Sequence, residues 1–125
     1  MSELKYTAEH EWIRVDGNVL TVGITPYAAD KLGEIVFAEL PTVGSSFDSG
    51  KVIAEVESTK SVGEVFAPVS GTITEVNDEV VDNPELISES ALDKGWLFKL
   101  EVTDVSVLDG DEFLTLDAYN SLIGE

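Results

Sequence analysis

The chain alternates short apolar runs with turn residues along most of its length, which is the pattern of a β-rich fold. Trp12-Ile13-Arg14-Val15 and Val19-Leu20-Thr21-Val22 flank Asp16-Gly17-Asn18 and predict a hairpin. Thr25 to Gly33 predicts one short helix, with Thr25 as N-cap, Pro26 at the first helical position and Gly33 as a left-handed stop. Ile35 to Leu40 reads as a strand ended by Pro41, and Val43-Gly44 as a turn. Val52 to Glu57 and Val62 to Ala67 read as strands, the second closed by Pro68. Ser70-Gly71 is a turn before the alternating strand Thr72 to Val76, which Asn77-Asp78 breaks. Asp82-Asn83-Pro84 opens a loop or a single helical turn, and Trp96 to Val102 predicts a last long strand. The tail from Asp104 to Leu122 reads as helical in parts, with Asp117 as cap for Ala118 to Ile123.

A faint repeat runs through this pattern. Gly33-Glu34-Ile35-Val36-Phe37-Ala38 resembles Gly63-Glu64-Val65-Phe66-Ala67. Two such β-halves can pack as a sandwich with pseudo-twofold symmetry, and the hairpin joining them then projects at one end. Small polar residues (Ser58, Thr59, Ser61) at that junction make a turn with Lys60 at its tip. A lysine there is either ordinary surface charge or a handle for covalent modification.

Composition narrows the chemistry. With 125 residues, 43% of them apolar, the chain fits one folded domain. There is no cysteine, which excludes disulfides, thiolate metal sites and cysteine nucleophiles, and the single histidine is His10. A net charge of −18 makes nucleic acids and anionic membrane surfaces poor partners. It suits solubility, or steering toward basic docking surfaces. No apolar run has the length of a membrane span, and Met1 to Lys5 shows no secretory or transit signal.

Several ordered motifs then resemble one family. Glu57-Ser58-Thr59-Lys60, Ala67-Pro68-Val69-Ser70-Gly71 and Glu75-Val76-Asn77 are similar to the lipoyl-attachment region of the glycine cleavage system H proteins. Tyr6 to Ile13, Val22 to Ala28, Leu32 to Phe37, Leu40 to Gly44 and Gly95-Trp96-Leu97 extend the likeness from about Leu4 to Ile123. The resemblance implies a mainly β fold, a biotinyl/lipoyl-type β-sandwich (barrel-sandwich hybrid) with short helices in the N-terminal third and at the C-terminus. It implies a single carrier domain over residues 1–125, with a core of about 19–103 and a helical tail of about 104–125.

It further implies lipoic acid in amide linkage to Lys60 on a protein that is not itself an enzyme. The arm would visit three partners. P-protein decarboxylates glycine and loads an aminomethyl group. T-protein passes the one-carbon unit to tetrahydrofolate. L-protein reoxidises the dithiol. Glu57 and Ser58 are expected to be recognised by the lipoylating enzyme, and Glu11, His10 and Glu64 to contact the loaded arm. With no thiol of its own, the chain needs an added group for dithiol chemistry. Acylating Lys60 would remove its charge and ease entry into apolar channels. Trp12, Trp96, Phe37 and Phe66 read as core or edge packing.

The chain departs from the family at Ser61, at Gly63, at Ser88 and at Ala91-Leu92, which touches how the loop from Asp82 to Lys94 packs. Two other functions share a modified lysine: a lipoyl relay protein and a biotin carrier domain. In biotin carriers Met usually flanks the lysine, whereas Thr59 and Ser61 stand here. The expected location is the bacterial or archaeal cytoplasm, with a mature mitochondrial form as the alternative.

Overall fold

Gly17 turns the first hairpin. Its φ of 63° suits the first central position of a tight two-residue turn, and it joins β2 (Glu11–Asp16) to β3 (Val19–Ile24) with Asp16 opposite Val19. The computed structural model describes residues 4–103 and 113–124. Strand β1 (Leu4–Tyr6) adds to the outer side of β2. Helix α1 (Pro26–Leu32) follows β3, and the Thr25 hydroxyl accepts the Ala28 N–H at 3.2 Å as the N-cap. Gly33 does end the helix at positive φ, but at ψ −141° rather than in the left-handed helical region. That extended ψ leads straight into β4 (Ile35–Glu39), and only glycine adopts the combination readily.

The remaining strands are β5 (Ser46–Phe47), β6 (Val52–Ser58), β7 (Val62–Phe66), β8 (Gly71–Val76) and β9 (Phe98–Glu101). They form two antiparallel sheets, a six-stranded one in the order β1-β2-β3-β9-β8-β5 and a three-stranded one in the order β4-β6-β7. One core lies between them. Ile13, Leu20, Val22, Ile73, Phe98 and Leu100 come from the larger sheet, and Ala38, Val56 and Val65 from the smaller. The mainly β sandwich expected from the sequence is the fold observed. The two copies of the repeat do not divide between the sheets, however. Their strands β4 and β7 flank β6 in the same sheet, because each pairs antiparallel with the same central strand.

Smaller differences follow from local chemistry. The last long strand is shorter than predicted, but Leu97 still donates its N–H to the Val22 carbonyl and Val102 donates to Asn18. Two single-turn helices, α2 (Glu79–Asp82) and α3 (Leu86–Glu89), occupy the loop around Pro84. The C-terminal helix α4 (Leu116–Ile123) is capped by Thr115, whose hydroxyl accepts the Ala118 N–H, so Asp117 sits in the first turn and is not the cap. The part of the predicted helical tail over 104–112 lies outside the described residues.

Helix α4 explains why β2 is buried on both faces. Ile13 faces the main core, while Trp12 packs with Tyr6 and Tyr119 in a second cluster. The Trp12 indole N–H donates to the Ala91 carbonyl at 2.7 Å. Gly23, opposite Trp12, has no room for a side chain, since a Cβ there would sit 2.7 Å from the indole.

Candidate functional site

The β6–β7 hairpin is built by Ser58. Its N–H donates to the Ser61 carbonyl at 2.8 Å, and its hydroxyl oxygen accepts the N–H groups of Lys60 (3.3 Å) and Ser61 (3.1 Å). A short polar side chain closes the turn in this way without a glycine. The Thr59 N–H donates to the Glu34 carbonyl at 3.1 Å, which ties the tip to the start of β4. Lys60 stands exposed at that tip. Its methylene stem lies over Gly33, where an added Cβ would touch Cε at 3.4 Å. The end of this exposed side chain, Nζ included at 3.9 Å, thus lies over a glycine.

Beside the tip is a cleft of about 430 Å³ between α1 and the edge of β7. Ser61, Gly63 and Glu64 line one wall, Tyr27, Lys31 and Leu32 the other, and Glu9 and His10 its end. His10 holds a φ of 67°, the one positive value among described non-glycine residues, a conformation that costs about 1–2 kcal/mol for an L-residue. Several contacts hold it there. Its N–H donates to the Thr7 carbonyl, its carbonyl accepts the Thr25 N–H, its ring packs 5.0 Å from that of Tyr27, and Nδ1 lies 2.8 Å from the Tyr119 hydroxyl. That hydroxyl also bonds the Thr25 hydroxyl at 2.7 Å.

Glu11 lies on the other side of Glu9. It lines a second cavity of about 500 Å³ with Thr7, Phe66, Pro68 and Phe113, and Glu9 lines both. Its side chain is 1% exposed. One carboxyl oxygen accepts the Phe66 N–H at 2.6 Å, and the other faces the Thr7 hydroxyl at 3.4 Å. Burial pushes its pKa up to about 8; the Phe66 N–H and the Thr7 hydroxyl oppose this, and the charge of Glu9 adds to it. At neutral pH this carboxyl is mostly a neutral acid.

The structure therefore sets His10 and Glu64 in one cleft, with Lys60 on the tip beside it, and Glu11 in a second cavity that shares Glu9 with the first. Glu57, in the middle strand, lies just below the tip between Phe37 and Val62. Sequence reasoning missed Glu9, Gly33 and Tyr119. Glu9 could have been suspected from its place beside His10 and Glu11. Tyr119 reaches His10 from the far end of the chain, and no local pattern announces that contact.

The sequence profile of the family described as Glycine cleavage H-protein matches residues 4–125. The chain belongs to that family. It is 53% identical over 124 residues to the glycine cleavage system H protein of Clavibacter sepedonicus, covering 99% of this chain and 97% of that one. The corresponding protein of Staphylococcus haemolyticus is 49% identical at the same coverage. The crystal structure of a glycine cleavage system H protein from Mycobacterium marinum superposes with a TM-score of 0.88, at 39% identity over 98% of both chains. As a member of the H-protein family, the chain is a lipoyl carrier that shuttles between the components of the glycine cleavage system, and it is not itself a catalyst. The biotin-carrier alternative gives way to this assignment.

Proposed function

We propose that Lys60 carries the lipoyl group in amide linkage and that the cleft beside it receives the loaded arm. The single observation that carries this reading is the placement of an exposed lysine on a hydrogen-bonded tip, its side-chain end over Gly33, next to Ser61 in the wall of a cleft. The residues present fit such a group: the tip is accessible, the cleft walls include apolar Leu32, Ala28 and Val65, and its end is polar. When bound, lipoate supplies the dithiol that this cysteine-free chain lacks. The chain itself supplies the anchor, the cleft and the acids. Docking then makes each transfer a high effective-concentration event.

In this reading Glu57 and Ser58 present Lys60 to the lipoylating enzyme, Ser58 by fixing the turn. Glu64 and His10 line the arm's path. Glu11 waits as a buried neutral acid, and an aliphatic ammonium brought near it would favour its ionised form. The resulting charge-assisted hydrogen bond would hold the aminomethyl cargo away from water. P-protein, T-protein and L-protein are the partners served in turn. The expected setting is the bacterial cytoplasm; the relatives named above are bacterial, and no helix among the described residues is long and apolar enough to cross a membrane.

The test is intact-protein mass after incubation with a lipoylating enzyme, lipoate and ATP, with Lys60→Ala in parallel. A lipoyl increment on the wild type alone supports Lys60 as the attachment site. No increment on the wild type, with a control lipoyl domain modified, rules it out. Loading by P-protein and glycine then separates aminomethyl carriage from lipoate relay, since a relay protein does not require it.

A further inference from the structure

The outer face of the three-stranded sheet carries a surface that the fold itself does not need. The register of β4 on β6 slips by one residue between Ile35 and Phe37. Val36 and Phe37 consequently both reach solvent, 49% and 42% exposed. Phe37 pairs with Glu57, and Glu57 pairs with Val62, which is 50% exposed. Paired residues share a face, so an apolar–acidic–apolar row crosses all three strands directly below the Lys60 tip. The next outward row is Glu39, Glu55 and Glu64, three carboxylates in register. Between the rows, Ala38 and Val56 point into the core.

Folding alone favours neither feature. A bulge disrupts ladder pairing, and like charges directly opposite each other are destabilising. Among the described residues the one ion pair joins Lys99 to Glu75, in the other sheet, so these carboxylates are not neutralised that way. Apolar side chains left in water beside an uncompensated acidic row mark a contact surface for a basic partner.

We propose that this face is where the enzyme that acylates Lys60 docks, through an apolar ridge flanked by lysines or arginines. The proposal rests on the reading of Lys60 as the lipoyl attachment site. The choice of partner follows from reach. An acylating enzyme must bring an activated carbonyl carbon to bonding distance of Nζ, so it must cover the base of the hairpin. Enzymes that act on the far end of a finished arm are held off by the arm's length and have no need to cover that base. In the acylation step the N–C bond forms between Nζ and the lipoyl carboxyl carbon. The bond from that carbon to its activating adenylate, made from ATP, breaks, and AMP leaves with the electron pair. The Lys60 ammonium gives up two protons to solvent or the leaving group.

The experiment uses unmodified full-length protein with a lipoate–protein ligase, lipoate and Mg-ATP, and follows acylation by intact mass. Two double variants are compared with wild type: Phe37→Thr with Val62→Thr, which keeps residues that suit strands, and Glu39→Gln with Glu55→Gln. Each is first shown to be folded by circular dichroism. The apolar pair is expected to lower kcat/KM about tenfold, mainly through KM. The acidic pair is expected to lower it several-fold at low salt and to flatten its salt dependence. Each variant is then driven to complete acylation and assayed in glycine cleavage, where activity within twofold of wild type is expected. Variants acylated at the wild-type rate overturn the docking proposal alone, as does an equal loss in both assays. A wild type left unmodified overturns the Lys60 reading, and the docking proposal with it.

Discussion

Glu11 stores a free-energy cost that pH can expose. Its carboxyl is held by the Phe66 N–H and faces the Thr7 hydroxyl inside the protein, with its pKa raised from about 4.5 to about 8. The sign follows from proton counting. Between those two values the folded state binds more protons at Glu11 than the unfolded chain does. This group's contribution to stability is therefore fully present below about pH 4.5 and is lost as pH rises through about 8. Glu11→Gln keeps an acceptor for the Phe66 N–H and removes the titration. The variant should match wild type near pH 5 and exceed it at pH 9 by roughly 1–3 kcal/mol. Denaturant unfolding at the two pH values checks this, and a constant difference between the proteins would refute it. The same residue shows where sequence reading stops. The exposed position of Lys60 at a hairpin tip was legible because the turn is local, Ser58 to Ser61. The burial of Glu11 was not, because it depends on Phe66 in a strand 55 positions away.

Helix α4 acts as a clamp on the N-terminal strands. The Tyr119 ring stacks on Tyr6 with centroids 5.1 Å apart, and its hydroxyl joins His10 to Thr25. That one oxygen links the C-terminal helix, the turn before β2 and the N-cap of α1. Tyr119→Phe leaves the stacking and deletes the bridge, so His10 Nδ1 and the Thr25 hydroxyl lose a partner at a partly buried site. The expected cost is about 1–3 kcal/mol. Amide hydrogen exchange should show α4 and the Thr7–His10 turn opening more readily, with the β6–β7 hairpin unchanged. Uniform loss of protection across both sheets would mean instead that the bridge stabilises the whole fold. At this scale the sequence was legible wherever a turn residue bounded an apolar run. The β2–β3 hairpin, α1 and the Lys60 hairpin came through with bounds within a residue or two. The three-residue β1 and two-residue β5 are too short to show a period, and they exist because neighbouring strands offer open edges. The repeat was visible as sequence, but its placement in one sheet was set by pairing with β6, which no local pattern encodes.

Over the whole molecule, a net charge of −18 makes self-repulsion a standing opponent of folding. For a carrier that docks and leaves repeatedly, the same field speeds encounter with basic surfaces without demanding a large, slow-releasing interface. The charge itself was plain from composition, whereas its concentration into the Glu39–Glu55–Glu64 row required the strand register. Glu55 is the middle of that row and faces a carboxylate on each side. Replacing it with Gln removes both repulsions and keeps the shape. Glu55→Gln should therefore raise stability by about 0.5–1 kcal/mol at 10 mM salt. At 0.5 M salt the Debye length falls to a few ångströms, so wild type should gain more from salt than the variant and the difference should shrink. Paired melting curves at the two ionic strengths decide the matter. A gain equal at both would assign the effect to strand packing of the neutral side chain, and no gain at low salt would mean that this row of charge is carried at no cost to the fold.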